Sequence, residues 1–256
     1  MNEILLEVRN IIVRFGGITA LNNVYFDVIK GEFLSIIGPN GAGKTTMLRA
    51  IIGVVKLLSP SRIFLADRDI TDITVHERVR MGLAMTHQIV RPFKSMTVLE
   101  NVVIAAGHKR TGNPFSAMFS FDRKSEIEKA MNLLDTVGLS DVAEQPVTGQ
   151  PLGVLKRLEV ARTLAVNPGL LLLDEPLAGL NHVEAKKMAD TIVKINQNGL
   201  TIVMIEHNLA EVLRVSQRLI VLDNGFKIAS GNPDAVLCDS KVRAAYMGKE
   251  KINAAA

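Results

Sequence analysis

The stretch Gly38–Thr45, GPNGAGKT, fits the phosphate-binding pattern G-x-x-x-x-G-K-[ST]. It follows the short apolar run Phe33–Ile37 and opens a helical pattern, and this strand–loop–helix context is the one that the pattern requires. Small residues let consecutive backbone N–H groups surround phosphate oxygens, while the positive end of the helix points at them. Lys44 would add a point charge, Thr45 a magnesium ligand, and Thr46 support for the loop. The alternative interpretation is a plain glycine-rich turn.

The rest of the chain is predicted to be α/β with an antiparallel β entry. Apolar runs bounded by turn residues indicate the strands Leu5–Val13, Val24–Ile29, Leu170–Leu173, Leu200–Ile205, Arg218–Leu222 and Lys227–Ser230. The last two form a predicted hairpin that turns at Asn224-Gly225. Helical patterns follow the phosphate loop, run from about His182 to Asn196, and return near Ala235.

The middle of the chain, from about Gly82 to Ala165, has a helical pattern. Thr97 with Glu100, and Ser125 with Glu128, fit capping boxes ahead of apolar residues at helical spacing. We therefore predict one nucleotide-binding domain. This domain covers residues 1–256. It consists of a core of residues 1–82 and 166–248, an inserted helical subdomain of residues 83–165, and a frayed tail of residues 249–256.

The composition is that of an ordinary globular protein: 48% of the 256 residues are hydrophobic, which excludes a disordered or fibrous chain. The longest apolar stretches, such as Ile51–Leu58 with Lys56 inside it, are too short to span a bilayer, and charged residues near the start argue against a signal peptide. The single cysteine, Cys238, excludes an internal disulfide and fits the cytosol. Because the net charge is only +4 and the Lys and Arg residues are scattered, we expect no nucleic-acid partner.

Two carboxylates follow the predicted apolar strand in the sequence LLLLDE. If this strand neighbours the strand before the phosphate loop, Asp174 would lie beside Lys44 and hold magnesium through water. Glu175 would polarise a water molecule for in-line attack on the terminal phosphate, as a general base does. The alternative is an acidic turn ahead of Pro176.

Two further polar residues lie where catalytic groups are expected. His207 follows the apolar strand TIVMIE and would emerge at the edge of the sheet where α/β proteins bind ligands, within reach of the terminal phosphate. A satisfied structural histidine is the alternative. Gln88 is a weaker candidate, an amide at the border between the core and the helices.

The order of these motifs resembles the ATP-binding subunit of an ABC transporter, from about Leu5 to Gly248. The guanine motif N-K-x-D of GTPases is absent from the sequence. The resemblance is most specific to the importers of branched-chain amino acids or the related urea importers, and the segments that carry it are VRFGGITALNNV, HQIVRPFKSMTVLENV, RLEVARTLA, LLLLDEPLAGLN, IEHNLAEV and VRAAYMG. The stretch from Gly107 to Ser125 is similar to the insertion in the longer of the two ATPases of those importers.

The resemblance implies the cofactors ATP and Mg²⁺ and a set of site residues. Phe15 would stack on adenine, although it could instead be an ordinary core residue. Gln88 would sense magnesium and the γ-phosphate, Asp174 and Glu175 would be the magnesium and water carboxylates, and His207 the switch histidine. Ala178–Asn181 would cross a dimer interface. The implied phosphate loop consists of Gly38, Pro39, Asn40, Gly41, Ala42, Gly43, Lys44, Thr45 and Thr46.

One motif departs from the family pattern. The signature L-S-G-G-Q aligns with Gln150-Pro151-Leu152-Gly153-Val154, and only Gly153 is retained. In the family this segment binds the γ-phosphate held by the partner subunit. Pro151 offers neither a hydroxyl nor an N–H group, so we hypothesise that the composite site built from this signature is weakened. The alternative is that the subfamily tolerates proline there.

A basic stretch of the sequence contains Phe115, Met118, Phe119 and Phe121. These side chains would either pack inward or form a face that receives a coupling helix of a membrane partner.

The predicted function is a transport ATPase, peripheral on the cytoplasmic face of the inner (plasma) membrane. Its implied partners are a second ABC ATPase, membrane permease subunits and, indirectly, a solute-binding protein. A homodimer and a heterodimer remain alternatives. So do a permease-free nucleotide-gated module and a poorly hydrolysing regulatory subunit.

Overall fold

A computed structural model describes residues 3–86, 90–107 and 124–253. It contains two β-sheets flanked by helices. The strands are β1 Ile4–Phe15, β2 Ile18–Ile29, β3 Phe33–Ile37, β4 Arg62–Leu65, β5 Arg68–Asp69, β6 Leu83–Met85, β7 Leu170–Asp174, β8 Thr201–Ile205, β9 Arg218–Asp223 and β10 Phe226–Gly231. The helices are α1 Lys44–Ile52, α2 Val75–Arg80, α3 Val98–Ala106, α4 Lys124–Thr136, α5 Leu152–Leu164, α6 His182–Gln197, α7 Leu209–Val215, α8 Pro233–Cys238 and α9 Ser240–Asn253, with a 3-10 turn at Ser140–Val142.

The smaller sheet is antiparallel and has the strand order β2-β1-β4-β5. Strands β1 and β2 are longer than the sequence predicts and form one hairpin around Gly16-Gly17. The register shifts along this pair, and Asn10 and Asn23 adopt positive φ angles of 52° and 54°. Asparagine tolerates a positive φ angle, so each strand can contain an irregular position and still continue. The sequence prediction missed this because the alternation of apolar and polar residues is interrupted there.

The larger sheet has six strands in the order β10-β9-β3-β8-β7-β6. All neighbours from β9 to β6 are parallel, and β10 pairs with β9 as the predicted hairpin. The condition that β3 and β7 are neighbours is not met, because β8 lies between them. The carboxyl ends of these three strands nevertheless share one edge of the sheet.

Each face of this sheet is covered by its own hydrophobic cluster. Alternate residues of β3 divide between them: Phe33 and Ile37 join the cluster that contains α3 to α6, whereas Leu34 and Ile36 join the one beneath the antiparallel sheet and α1. Because both of their faces are covered, the central strands β3, β7 and β8 are buried at every position and consist mostly of apolar residues. Within the described part of the chain, no helix has the length and apolar character needed to cross a bilayer.

The middle segment is mostly helical, with α3 and α4 in contact with each other and with α5. The capping box of Thr97 and Glu100 is confirmed. That of Ser125 and Glu128 was wrong, because Ser125 lies inside α4 and its hydroxyl donates to Glu126. Two boundaries also differ from the predicted division: β6 pairs with β7 beyond Gly82, and α9 continues to Asn253. The division into core and helical subdomain stays a prediction.

Candidate nucleotide site

The phosphate loop connects β3 to α1 through glycines in conformations that other residues avoid. Gly38 has a φ of 148°, and a Cβ atom there would lie 2.0 Å from the Leu222 carbonyl oxygen. Gly43 has a φ of 98°, and its Cβ would lie 2.6 Å from the Ala20 carbonyl oxygen. Side chains at these positions would displace the neighbouring backbone. The pattern therefore requires glycine for a steric reason at both ends of the loop.

Lys44 is the first residue of α1 and folds back over the loop. Its Nζ donates to the carbonyl oxygens of Gly38 at 2.8 Å and Pro39 at 3.0 Å, and only 6% of the residue is exposed. The helix N-cap is Gly43, which has no side chain to occupy the first backbone N–H groups. An ammonium group and a helix N-terminus thus face the same loop, which favours a polyanion such as a nucleotide phosphate chain.

Thr45 of α1 and Asp174 of β7 meet although β8 separates β7 from β3, the strand that precedes the phosphate loop. The Thr45 hydroxyl donates to Asp174 Oδ1 at 3.2 Å, because α1 starts over the strand edge and carries Thr45 across to β7. Asp174 is 2% exposed; burial raises the pKa of its carboxyl, and the Thr45 hydrogen bond opposes that shift. A hydroxyl and one carboxylate are hard oxygen ligands, and Mg²⁺ completes its shell with water and substrate phosphates. These residues therefore fit the magnesium ion that the sequence implies.

Glu175 and His207 form a close pair at the same edge. His207 Nε2 lies 2.6 Å from Glu175 Oε1, and the two side chains are 42% and 15% exposed. The structure thus brings together two residues that the sequence predicts separately. A carboxylate and an imidazole in contact, with solvent access, can hold and orient a water molecule and exchange a proton with it.

Phe15 ends β1 and is 53% exposed, so the interpretation as a core residue was wrong. The hairpin that carries it touches the phosphate loop, since Ala20 of β2 lies against Gly43. An exposed aromatic ring beside a phosphate loop can stack on a base.

Two predicted features fall outside the described residues. They are Gln88 and the apolar segment with Phe115, Met118, Phe119 and Phe121. The described chain before Gln88 ends at Thr86, whose backbone N–H donates to Leu172 and whose hydroxyl accepts from the Asp174 N–H at 3.3 Å. The strand leading to Gln88 therefore leaves the sheet beside Asp174.

The altered signature lies at the start of α5. Pro151 is the N-cap, with no side-chain hydrogen bond to the helix, and Gly153 lies in the first turn. A Cβ at Gly153 would lie 2.8 Å from Glu184 Oε1 of the following helix α6. Leu152 is 43% exposed and approaches Gly179, so the signature and the loop 178–181 share one surface.

Three residues near the site were not anticipated from the sequence. Lys156 donates to the Glu175 carbonyl, and Glu206 binds backbone N–H groups on both sides of the site. Tyr246 of α9 hydrogen-bonds the backbone of Gly38, and burial raises the pKa of its phenol to about 12. Glu206 carried a signal, as a carboxylate directly after the strand β8. Lys156 lies two residues after the signature segment and Tyr246 lies within VRAAYMG, but neither residue type indicates a contact with the phosphate loop or with Glu175.

Fold and site together define a P-loop ATPase of the ATP-binding cassette class. A family model described as ABC transporter matches residues 21–178, and one described as branched-chain amino acid ATP-binding cassette transporter matches residues 227–252. The chain therefore belongs to the ABC transporter family of ATP-binding subunits, in its branched-chain amino acid group, and the resemblance seen in the sequence is confirmed.

Relatives and solved structures agree with this assignment. The high-affinity branched-chain amino acid transport ATP-binding protein LivG of Escherichia coli (strain K12) is 36% identical over 97% of this chain and 100% of its own length. The crystal structure of the ADP conformation of MJ1267, an ATP-binding cassette of an ABC transporter, superposes with a TM-score of 0.84 at 33% identity, covering 96% of this chain and 99% of that one. A dimeric structure of MJ0796, a bacterial ABC transporter cassette, gives a TM-score of 0.78 at 26% identity, over 90% and 99% of the two chains.

Proposed function

We propose that this chain binds and hydrolyses ATP to drive an importer of branched-chain amino acids. The observation that carries the proposal is the shared sheet edge, where the Thr45–Asp174 contact and the Glu175–His207 contact lie at the end of the phosphate loop. The full-length similarity to branched-chain amino acid cassettes supports the solute class over urea.

In the proposed mechanism, the backbone of the phosphate loop and Lys44 bind the phosphates of ATP. Thr45, Asp174 and Gln88 would hold Mg²⁺, which neutralises charge on the phosphates when bound. Glu175 orients and deprotonates the attacking water, and His207 keeps the carboxylate in place and contacts the γ-phosphate. Phosphoryl transfer to water depends on this positioning and charge neutralisation more than on covalent chemistry.

The proposed partners follow from the transporter class. A second ATPase subunit would pair head to tail with this one, and the dimeric structure of the MJ0796 cassette supports the pairing of two cassettes. Membrane permease subunits would carry the solute, and a solute-binding protein would deliver it. The chain would then be peripheral on the cytoplasmic face of the inner (plasma) membrane. The alternative is an ABC module that works without a permease. Co-purification of this chain with a permease would favour the transporter over that alternative.

Because the signature segment of this chain departs from the family pattern, we also propose that the two ATPase subunits of the pair differ from each other. Pro151 at the N-cap of α5 contributes no hydroxyl, so a partner's γ-phosphate would meet only the helix dipole and the Gly153 N–H. A dipole at an exposed helix end contributes about 0.3–1 kcal/mol. The site that uses this chain's own Lys44, Glu175 and His207 would keep its full set of groups. We therefore favour an unlike companion ATPase over a homodimer.

The experiment is ATP hydrolysis by the purified chain, alone and mixed with its companion ATPase, for wild type and Glu175→Gln. We expect Glu175→Gln to lower turnover by about 10²-fold or more, the usual contribution of a general base, and to retain ATP in a closed dimer on size-exclusion chromatography. Normal turnover by Glu175→Gln would overturn the assigned role.

A further inference from the structure

The loop that carries Glu175 has an uncommon backbone conformation. Glu175 has a φ of 51°, in the left-handed region that non-glycine residues seldom adopt. A residue persists there only where its surroundings fix it. Its N–H donates to the Ile205 carbonyl at 3.0 Å, and its carbonyl accepts the Ala178 N–H at 3.2 Å. Two buried charged side chains add to these backbone contacts.

The first is Lys156, which reaches the loop from α5. Its Nζ donates to the carbonyl oxygen of Glu175 at 3.0 Å, and the residue is only 6% exposed. Burial lowers the pKa of this amine, while the carboxylates of Glu206, Glu175, Asp174 and Glu159 act in the opposite direction. A buried ammonium that binds a main-chain carbonyl restrains the backbone rather than the carboxylate, which leaves the Glu175 side chain available to His207.

The second is Glu206, which binds both catalytic loops at once. Its Oε1 accepts the backbone N–H of Leu177 at 2.6 Å, two residues after Glu175, and its Oε2 accepts the N–H of His207 at 3.1 Å. The Asn208 N–H also bonds this carboxylate, which is 3% exposed. The two oxygens therefore hold opposite sides of the site, one the loop of Glu175 and the other the loop of His207.

We propose that Lys156 and Glu206 are positioning residues for ATP hydrolysis, which fix the two loops so that Glu175 and His207 meet. This inference rests on the role proposed above for Glu175. Both residues bind main-chain groups of the loops that carry Glu175 and His207, so both act through the backbone that presents the catalytic pair.

The chemistry of Glu206 makes the inference testable with an isosteric change. Glu206→Gln keeps the shape of the side chain but replaces one acceptor oxygen with an NH₂ donor. In either orientation of the amide, its NH₂ group faces one of the two backbone N–H groups, that of Leu177 or that of His207. Two donors cannot bond each other, so the loop on that side loses its hydrogen bond to residue 206. Lys156→Met keeps an unbranched side chain one atom shorter than lysine and removes the donor to the Glu175 carbonyl.

The test measures kcat, KM for ATP, nucleotide affinity and the midpoint of thermal unfolding. It uses the preparation in which the wild-type chain hydrolyses ATP, either the chain alone or the chain mixed with its companion ATPase. Because displacement of a catalytic group by an ångström can cost up to 10²-fold, we expect each variant to lower kcat by about tenfold or more. KM and nucleotide affinity should stay within about twofold, since the phosphate loop is untouched. In the Glu175→Gln background, Glu206→Gln should cause no further loss, because it acts through Glu175.

Two residues provide matched controls. Glu211→Gln removes a buried carboxylate, 4% exposed, that pairs with Arg214 on α7. Lys129→Met removes a lysine that also donates to a main-chain carbonyl, that of Ala165. Both should leave kcat unchanged.

Three results separate the possibilities. A kcat within about twofold of wild type for Glu206→Gln and Lys156→Met would overturn the inference. So would a parallel loss of nucleotide affinity and turnover, or the same loss in the controls, because either result indicates general destabilisation. If Glu175→Gln itself turned over normally, the proposed role of Glu175 would fail independently of these variants.

Discussion

Single side chains at the carboxyl edge of the large sheet define what the molecule can do. Glu175 Oε1 and His207 Nε2 lie 2.6 Å apart, which is hydrogen-bond distance. Lys44 is occupied with loop carbonyls through two of its hydrogen bonds. The site is thus pre-arranged around the loop, and nucleotide phosphates would replace contacts that the protein already makes with itself.

At this scale, Phe15 gives a direct prediction about nucleotide binding. Phe15→Ala should weaken ATP and ADP binding by about 1–3 kcal/mol, roughly five- to 150-fold in Kd, because the exposed ring can no longer stack on adenine. Phe15→Tyr should bind almost as wild type. Isothermal titration calorimetry of the three proteins measures the effect.

The control for this prediction is Tyr25→Ala. Tyr25 is another exposed aromatic residue of the same antiparallel sheet, and its ring contacts Lys227. Equal losses of affinity for Phe15→Ala and Tyr25→Ala would contradict a specific adenine contact.

The identities of the reacting residues could be predicted from local sequence, but their contacts could not. Asp174 and Glu175 are recognisable because carboxylates follow an apolar strand, and His207 because it follows the next one. Glu175 contacts His207 from a left-handed backbone conformation, which nothing in the residue type indicates. Lys156 lies in an ordinary helical pattern, so only the fold shows that it reaches Glu175.

Among the elements, helix α1 carries Lys44 and Thr45 of the nucleotide site at its N-terminus, and a side chain of α2 binds its C-terminus. Arg78 of α2 is 2% exposed and donates to the carbonyl oxygens of Ala50 and Ile51 in the last turn of α1. It also donates to the carbonyls of Ile73 and Thr71. The last carbonyls of a helix have no partner within it, so this guanidinium satisfies groups that are buried.

We therefore predict that Arg78→Met destabilises the protein. The variant removes the charged donor from these carbonyls, of which that of Ala50 keeps the Gly53 N–H as a partner, and we expect the free energy of unfolding to fall by about 2–4 kcal/mol. Urea unfolding followed by circular dichroism measures the change. Arg80→Met, at an exposed position of the same helix, should change stability by less than about 0.5 kcal/mol, and equal effects of the two variants would contradict the account.

The start of α5 gives a prediction about the companion subunit. Pro151→Ser would restore a hydroxyl at the N-cap, where serine is a favoured residue. We expect faster ATP hydrolysis by the assembled pair, measured as steady-state phosphate release. Pro146→Ser, just upstream of the signature, should leave the rate unchanged. If Pro151→Ser altered neither the rate nor the nucleotide affinity, the hypothesis of a weakened composite site would be wrong.

Helices and strands could be predicted where apolar residues recur periodically or where turn residues bound an apolar run. The order of the strands in the sheet could not, because it depends on pairing between segments that are distant in the sequence. The central strands and α6 are found by their apolar patterns within a residue or two. The position of β8 between β3 and β7 is set by packing across the sheet, and no local pattern encodes it. Strand β6 has only three residues, so it lacks a period that could separate it from the helical pattern around it.

For the molecule as a whole, similarity covers nearly the full length of a branched-chain amino acid cassette, and the fold matches solved cassettes. The prediction of an ABC ATPase fold is confirmed. It succeeded because the phosphate loop, the strand-end carboxylates and the histidine occur in one characteristic order. The C-terminal segment adds a structural link of its own, since Tyr246 reaches Gly38 at the start of the phosphate loop.

The most direct test of the account is ATP-driven uptake of labelled leucine into proteoliposomes that contain the permease, this chain and its companion ATPase, with the solute-binding protein outside. We predict that leucine accumulates with the wild-type chain, that urea does not, and that Glu175→Gln lowers leucine uptake by about tenfold or more. Accumulation of urea in place of leucine, or leucine uptake unaffected by Glu175→Gln, would contradict the claim that hydrolysis at this site powers branched-chain amino acid import.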